Sequence, residues 1–91
     1  MNTKNLKHKD QLIRRLKIIE GQIRGLGEML KKDKYCIDVI TQTSAVKQAL
    51  SGVEDVLMEN HLSTCLIDQI KDNKEKKATD EILKVYRLKR K

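Results

Sequence analysis

The chain of 91 residues contains no Phe, no Trp and no Pro. Without large aromatics, its interior has to be built from Leu, Ile, Val, Ala and a few Met, and a monomer of this length buries little of them. Two cysteines supply at most one disulfide, so the missing stability is expected from self-association. No run of about 20 apolar residues occurs, which excludes a membrane-spanning helix. The opening Met1-Asn2-Thr3-Lys4-Asn5-Leu6-Lys7-His8-Lys9-Asp10 has no hydrophobic stretch of the secretory kind. The expected compartment is therefore the cytoplasm, where two cysteines serve as thiols, redox centres or metal ligands rather than as a structural disulfide. Also missing are a Gly-rich phosphate loop, paired carboxylates and any Ser/His/Asp or Cys/His group with a third orienting residue. The chain reads as a non-enzyme.

What the chain has in quantity is charge, 36% of residues against 38% hydrophobic, a balance suited to long helices that bury one stripe against a partner. The net +7 is uneven: residues 1–35 carry +6, residues 36–70 carry −4 and residues 71–91 carry +5. Basic ends point to a polyanion, nucleic acid ahead of an anionic membrane surface, although Lys-rich ends also serve as plain solvated surface.

The whole chain reads as one helical domain, residues 1–91, with a flexible segment over 1–8 and a basic tail over 87–91. Leu12, Leu16, Ile19, Ile23, Leu26 and Leu30 alternate steps of four and three, which predicts a helix from about Lys9 to Lys31. Asp33 reads as the N-cap of a second helix. In it Val39, Thr43, Val46, Leu50, Val53 and Leu57 repeat the spacing up to Asn60 or His61. The short connection predicts an antiparallel hairpin. A Lys-rich break over 71–77 then separates a short apolar segment, Leu66, Ile67 and Ile70, from a last helix near Thr79 to Leu88.

His61 and Cys65 stand four residues apart, so a helix continuing through them projects both side chains from one face, within reach of a single ion. Cys36 is the other thiol, and near a helix start its thiolate is favoured by unpaired N–H groups. One helix from 36 to 61 separates Cys36 from His61 by roughly 37 Å at 1.5 Å per residue. They cannot share an ion within one chain. Two such helices packed antiparallel in a two-fold dimer bring Cys36 of one chain beside His61 and Cys65 of the other. Two thiolates and an imidazole form a soft set of three that suits Cu(I) better than Zn(II), which normally asks for a fourth ligand. Spacing alone leaves open that these residues are two small buried hydrophobes and a polar surface histidine.

The stretch Arg15-Leu16-Lys17-Ile18-Ile19-Glu20-Gly21-Gln22-Ile23-Arg24-Gly25-Leu26, the pair Tyr35-Cys36 and the run His61-Leu62-Ser63-Thr64-Cys65 resemble the copper-sensitive operon repressor family, from about Leu12 to Leu88. The resemblance implies an all-α, three-helix protomer forming an antiparallel four-helix-bundle dimer that pairs into a homotetramer, and a repressor that leaves operator DNA when Cu(I) binds. It implies Cys36, His61 and Cys65 as the Cu(I) ligands, with Tyr35 and Glu81 acting on the histidine from the outer shell. Relatives sensing nickel, cobalt or formaldehyde carry a further histidine where this chain has Lys4, one turn before His8. Persulfide-sensing relatives lack the histidine of the second helix. DNA is contacted through a basic face, for which Arg14, Arg15, Arg24 and Lys47 are the candidates here, with Gly52 standing where some members are basic. A thiol- or persulfide-responsive repressor and a non-regulatory copper-binding protein are the alternative readings.

Overall fold

The computed structural model describes Thr3 and residues 6–90; Lys4 and part of the expected flexible segment lie outside them. It consists of helices α1 (Lys9–Lys31), α2 (Cys36–Asn60), a five-residue π-helical turn (His61–Cys65), α3 (Leu66–Lys71) and α4 (Glu75–Arg90). Asn60, Cys65 and Leu66 all keep right-handed helical dihedrals, so α2, the π turn and α3 form one uninterrupted helical run. The protomer is thus the expected all-α, three-helix chain, and no strand occurs among the described residues.

The described chain divides into two compact units, one extending to Leu57 and one beginning at Met58. In the first, Leu12 and Ile19 of α1 bury against Val46 and Val53 of α2. Leu6, Leu26, Ala49, Val56 and Leu57 pack around them, so Leu6 belongs to the core although it lies in the segment expected to be flexible. Only half of each predicted stripe is used. Leu16, Ile23 and Leu30, at 44, 52 and 65% exposure, and Leu50 at 38% face outward, because a 3.6-residue period marks an apolar face without saying whether this chain or another copy covers it.

Asp33 corrects the predicted cap. It ends α1 instead of opening α2: φ is 54°, its N–H donates to the Leu30 carbonyl at 3.2 Å, and the Lys34 N–H donates to the Met29 carbonyl at 3.0 Å. This is the Schellman arrangement, with a residue in the left-handed region just past the helix. The Tyr35 carbonyl accepts the Asp38 and Val39 N–H groups, so Tyr35 opens α2 and Cys36 is its first residue, not its third. Replacing an N-cap Asp by Gly loses a few tenths of a kcal/mol, whereas at a left-handed position Gly relieves strain. Asp33→Gly is therefore expected to raise stability by about 0.5 kcal/mol, read from urea denaturation midpoints.

In the second unit, Asn73 repeats the motif with φ 58°, its N–H reaching the Ile70 carbonyl at 3.1 Å and the Lys74 N–H reaching that of Gln69 at 2.8 Å. The Lys74 carbonyl then accepts the Ala78 N–H at 3.0 Å and starts α4. The expected break over 71–77 shrinks to three residues, since Glu, Lys and Ala are strong helix formers and charge alone does not stop a helix. For the same reason residues 87–90 continue α4 as exposed helix, not as a tail, and Lys91 lies outside the described residues. Ala78 and His61 are buried in this unit.

Candidate metal centre

The π turn carries two of the three predicted ligands. The Leu66 N–H donates to the His61 carbonyl, five residues back, where an α-helix would bond four back. Two adjacent hydroxyls accompany the change: Thr64 Oγ1 donates to the Asn60 carbonyl at 2.6 Å and Ser63 Oγ to the same oxygen at 3.3 Å. Side chains that bond the preceding turn compete with the backbone ladder and deform it. Single π turns of this kind occur frequently at functional sites.

His61 is buried at 7% exposure, an unusual place for a polar ring. Its Nε2 lies 4.0 Å from Glu81 Oε2 on α4, so the structure brings Glu81 to His61 across twenty residues of sequence. That separation exceeds a hydrogen bond. The same carboxylate oxygen accepts a bond from Gln69 Nε2 at 3.3 Å. Cys65, half-buried and a free thiol, follows His61 by one helical turn and takes a 3.7 Å contact from Thr64 Oγ1. His61 and Cys65 thus share an element, with a carboxylate behind the ring. An imidazole and a thiol are soft donors that fit Cu(I), but two donors do not complete a site.

Cys36 is an exposed free thiol, and Tyr35 beside it is 68% exposed. Among the described residues no cluster of three or more His, Cys, Asp or Glu side chains is placed to hold a metal. Cys36 belongs to the unit that extends to Leu57, and His61 and Cys65 belong to the unit that begins at Met58.

Of the four candidate DNA contacts, all exposed, two have defined surroundings. The Arg15 guanidinium lies across Gly52, 3.7 Å from where a Cβ would stand, and with Ile18, Gln22, Gln48 and Ala49 lines a groove between α1 and α2. At that distance a Cβ would make only an ordinary van der Waals contact, so the guanidinium does not depend on a bare glycine there. Arg24 pairs with Glu20 at 3.1 Å in an exposed contact, worth at most about 1 kcal/mol. Arg15 and Arg24 are nine residues apart in one helix, half a turn out of phase at 3.6 residues per turn, so they leave α1 on opposite sides with Arg14 between them.

The family model described as metal-sensitive transcriptional repressor matches residues 8–87. The chain belongs to this family. Among its relatives, the copper-sensing transcriptional repressor CsoR of Bacillus subtilis is 42% identical over 87 residues, 96% of this chain and 86% of that protein. The copper-sensing transcriptional repressor RicR of Mycobacterium tuberculosis is 52% identical over 58 residues, 64% of this chain and 60% of RicR, so this chain spans about three-fifths of that longer relative. The crystal structure of the copper-sensing repressor CsoR with Cu(I) from Geobacillus thermodenitrificans superimposes with a TM-score of 0.88 at 32% identity, covering 100% of this chain and 95% of that one. The three-helix protomer is the fold of this repressor family.

Two features around this candidate site are not legible in the sequence. Gln69 follows Cys65 by four residues, and a lone amide among Leu66, Ile67 and Ile70 is the signal that marks it as facing something polar. The π turn has only the Ser63-Thr64 pair to announce it.

Proposed function

We propose that this protein is a Cu(I)-responsive transcriptional repressor of the cytoplasm, which binds the operator of copper-resistance genes without metal and leaves it when Cu(I) binds. The observation that carries the reading is a buried histidine one turn from a thiol, backed at 4.0 Å by a carboxylate, in a chain whose relatives are copper sensors. Cys36 of the partner subunit completes the donor set in an antiparallel dimer. The outward-facing Leu16, Ile23, Leu30, Ile37 and Ile40 supply apolar area for that dimer and for its pairing into a tetramer.

The residues divide the work. The two thiolates hold the ion, for which they are the preferred donors. His61 would be the third donor, and the Glu81 carboxylate 4.0 Å from its Nε2 is near enough to act on the ring from outside the donor set. Tyr35, next to the partner's thiol, meets this histidine only once the dimer forms. A change at His61 then passes to α4 through Glu81. An anaerobic Cu(I) titration against a competing chelator, run in parallel with binding to the DNA upstream of its own gene, tests the reading. The expected result is one Cu(I) per protomer and DNA release over the same range; binding without release would leave a copper-binding protein and no sensor.

The basic surface makes its own prediction. Apo protein is expected to lose DNA affinity linearly in log salt, with a slope of about −0.9 for each phosphate neutralised. Arg15→Ala should shallow that slope by about 1 and leave Cu(I) affinity unchanged. Arg24→Ala should do less, because Glu20 already shares its charge. Fluorescence anisotropy at several salt concentrations reads both, and an unaltered slope removes Arg15 from the DNA face.

A further inference from the structure

The last helix carries more positive charge than its own stability needs. On one side α4 buries or half-buries Ala78, Glu81, Ile82 and Val85, and the residues opposite them are basic. At 3.6 residues per turn, Lys76, Lys77, Lys84, Arg87 and Arg90 fall within an arc of about 140°, all of them exposed, with Asp80 the one acid among them. Arg87 and Arg90 lie in the last turn of α4, where a cation favours the helix dipole, so helix stability alone accounts for them. Lys76 and Lys77 lie in the first turn, where the dipole disfavours a cation. No carboxylate compensates them. Among the described residues Lys76, Lys77, Lys84 and Arg87 make no ion pair, although Asp80 stands one turn from both Lys76 and Lys84.

We propose that this outward face of α4 is a second contact surface for duplex DNA, one that holds backbone phosphates without reading bases. The inference rests on the reading of the protein as a DNA-binding repressor, and it adds to the α1 and α2 candidates, which belong to the other compact unit. From Lys76 to Arg90 the face runs about 21 Å at 1.5 Å per residue, a length over which each strand of a duplex presents about six phosphates. Cations that no carboxylate engages are the ones that exchange counterions for phosphates. Arg90, at the edge of the face, lies over the exposed Tyr86 ring, 5.8 Å from its centroid. An anionic membrane fits less well, because a helix lying in a lipid surface needs a broad free apolar side. On α4, Ile82 and Val85 are turned into its own unit, which leaves Leu83 as the one aliphatic residue within the basic arc. Glu81 stands on the other side of α4, so one helix carries both the carboxylate near His61 and the phosphate contacts.

The test combines Lys76→Gln with Lys77→Gln, which removes two charges at nearly equal helix propensity, and uses Lys89→Gln, outside the arc on the same helix, as a control. DNA affinity is measured without metal at several salt concentrations, on the duplex upstream of its own gene and on an unrelated duplex of equal length. The double variant should shallow the log salt slope by about 2 and weaken both duplexes by the same factor, about 10-fold or more near 0.1 M salt. Lys89→Gln should keep the wild-type slope. The thermal midpoint of the double variant should hold or rise, since the two cations oppose the helix dipole, and its Cu(I) affinity should not change. A wild-type slope in the double variant, a midpoint lowered by about 5 °C or more, or a loss confined to the upstream duplex would overturn the proposal. Phosphatidylglycerol vesicles that bind wild type but not the double variant, with DNA binding unaltered, would make the face a membrane contact instead. A changed sedimentation velocity would make it a contact between copies. If the slope falls as expected while Cu(I) releases neither protein from DNA, the surface stands and the copper-responsive reading falls.

Discussion

Cys36→Ala and Cys65→Ala are each expected to weaken Cu(I) binding by well over 100-fold, since partners outside the coordination sphere already act on a 10- to 100-fold scale. Each mutant leaves one thiolate and one imidazole, a remnant without the sulfur pair that a soft ion prefers. The more informative sample mixes the two. A dimer of one Cys36→Ala chain and one Cys65→Ala chain has one site with Cys36, His61 and Cys65 all present and one site lacking both thiols. With random exchange half the dimers are mixed, so about a quarter of all sites should regain tight binding, on the two-fold geometry in which one chain completes the other. Anaerobic chelator competition before and after subunit exchange measures this. Restoration follows only if the first cysteine comes from the other chain, and exchange without restoration would exclude the cross-chain site.

The sequence carries this expectation because α2 is long. Its steps of four and three run from Val39 to Leu57, and the helix is unbroken from Cys36 to Asn60. The α1 limits, Lys9–Lys31, are equally legible, as they rest on six apolar residues in phase. Other features depend on choices that a single stretch of residues does not determine. Asp33 is as fit to end a helix in the left-handed region as to start one, and only the bonds from Asp33 and Lys34 to the preceding turn decide. Leu16 and Ile23 fall on the same stripe as Leu12 and Ile19, yet they face outward, because periodicity does not separate an intrachain core from an interface between copies. Glu81 reaches His61 through the α3–α4 turn, a long-range juxtaposition that the family resemblance supplies and local spacing does not. Gln69 has neither aid.

The His61→Ala variant is expected to bind Cu(I) with two thiolates and to release DNA poorly. An effector regulates only through its different affinity for two states of the protein, and linkage makes the effect mutual: DNA must weaken Cu(I) binding by the factor by which Cu(I) weakens DNA binding. Couplings of this type span about 5- to 150-fold. His61 is the most deeply buried of the proposed ligands and lies 4.0 Å from Glu81 on α4, whereas Cys65 is half-buried and Cys36 is exposed at the first turn of α2. Removing the imidazole leaves the sulfur donors and cuts the path to α4. Cu(I) affinity should therefore fall by about tenfold or less, while the coupling factor collapses toward one. Glu81→Ala keeps the ligand and loses the carboxylate, so it should retain affinity and lose part of the coupling. The measurement is DNA affinity with and without saturating Cu(I) in both variants, together with Cu(I) affinity with and without DNA, which must return the same factor. If metal-saturated His61→Ala leaves DNA as completely as wild type, the signal travels through the thiolates and α2, and Glu81 serves only to hold a ring.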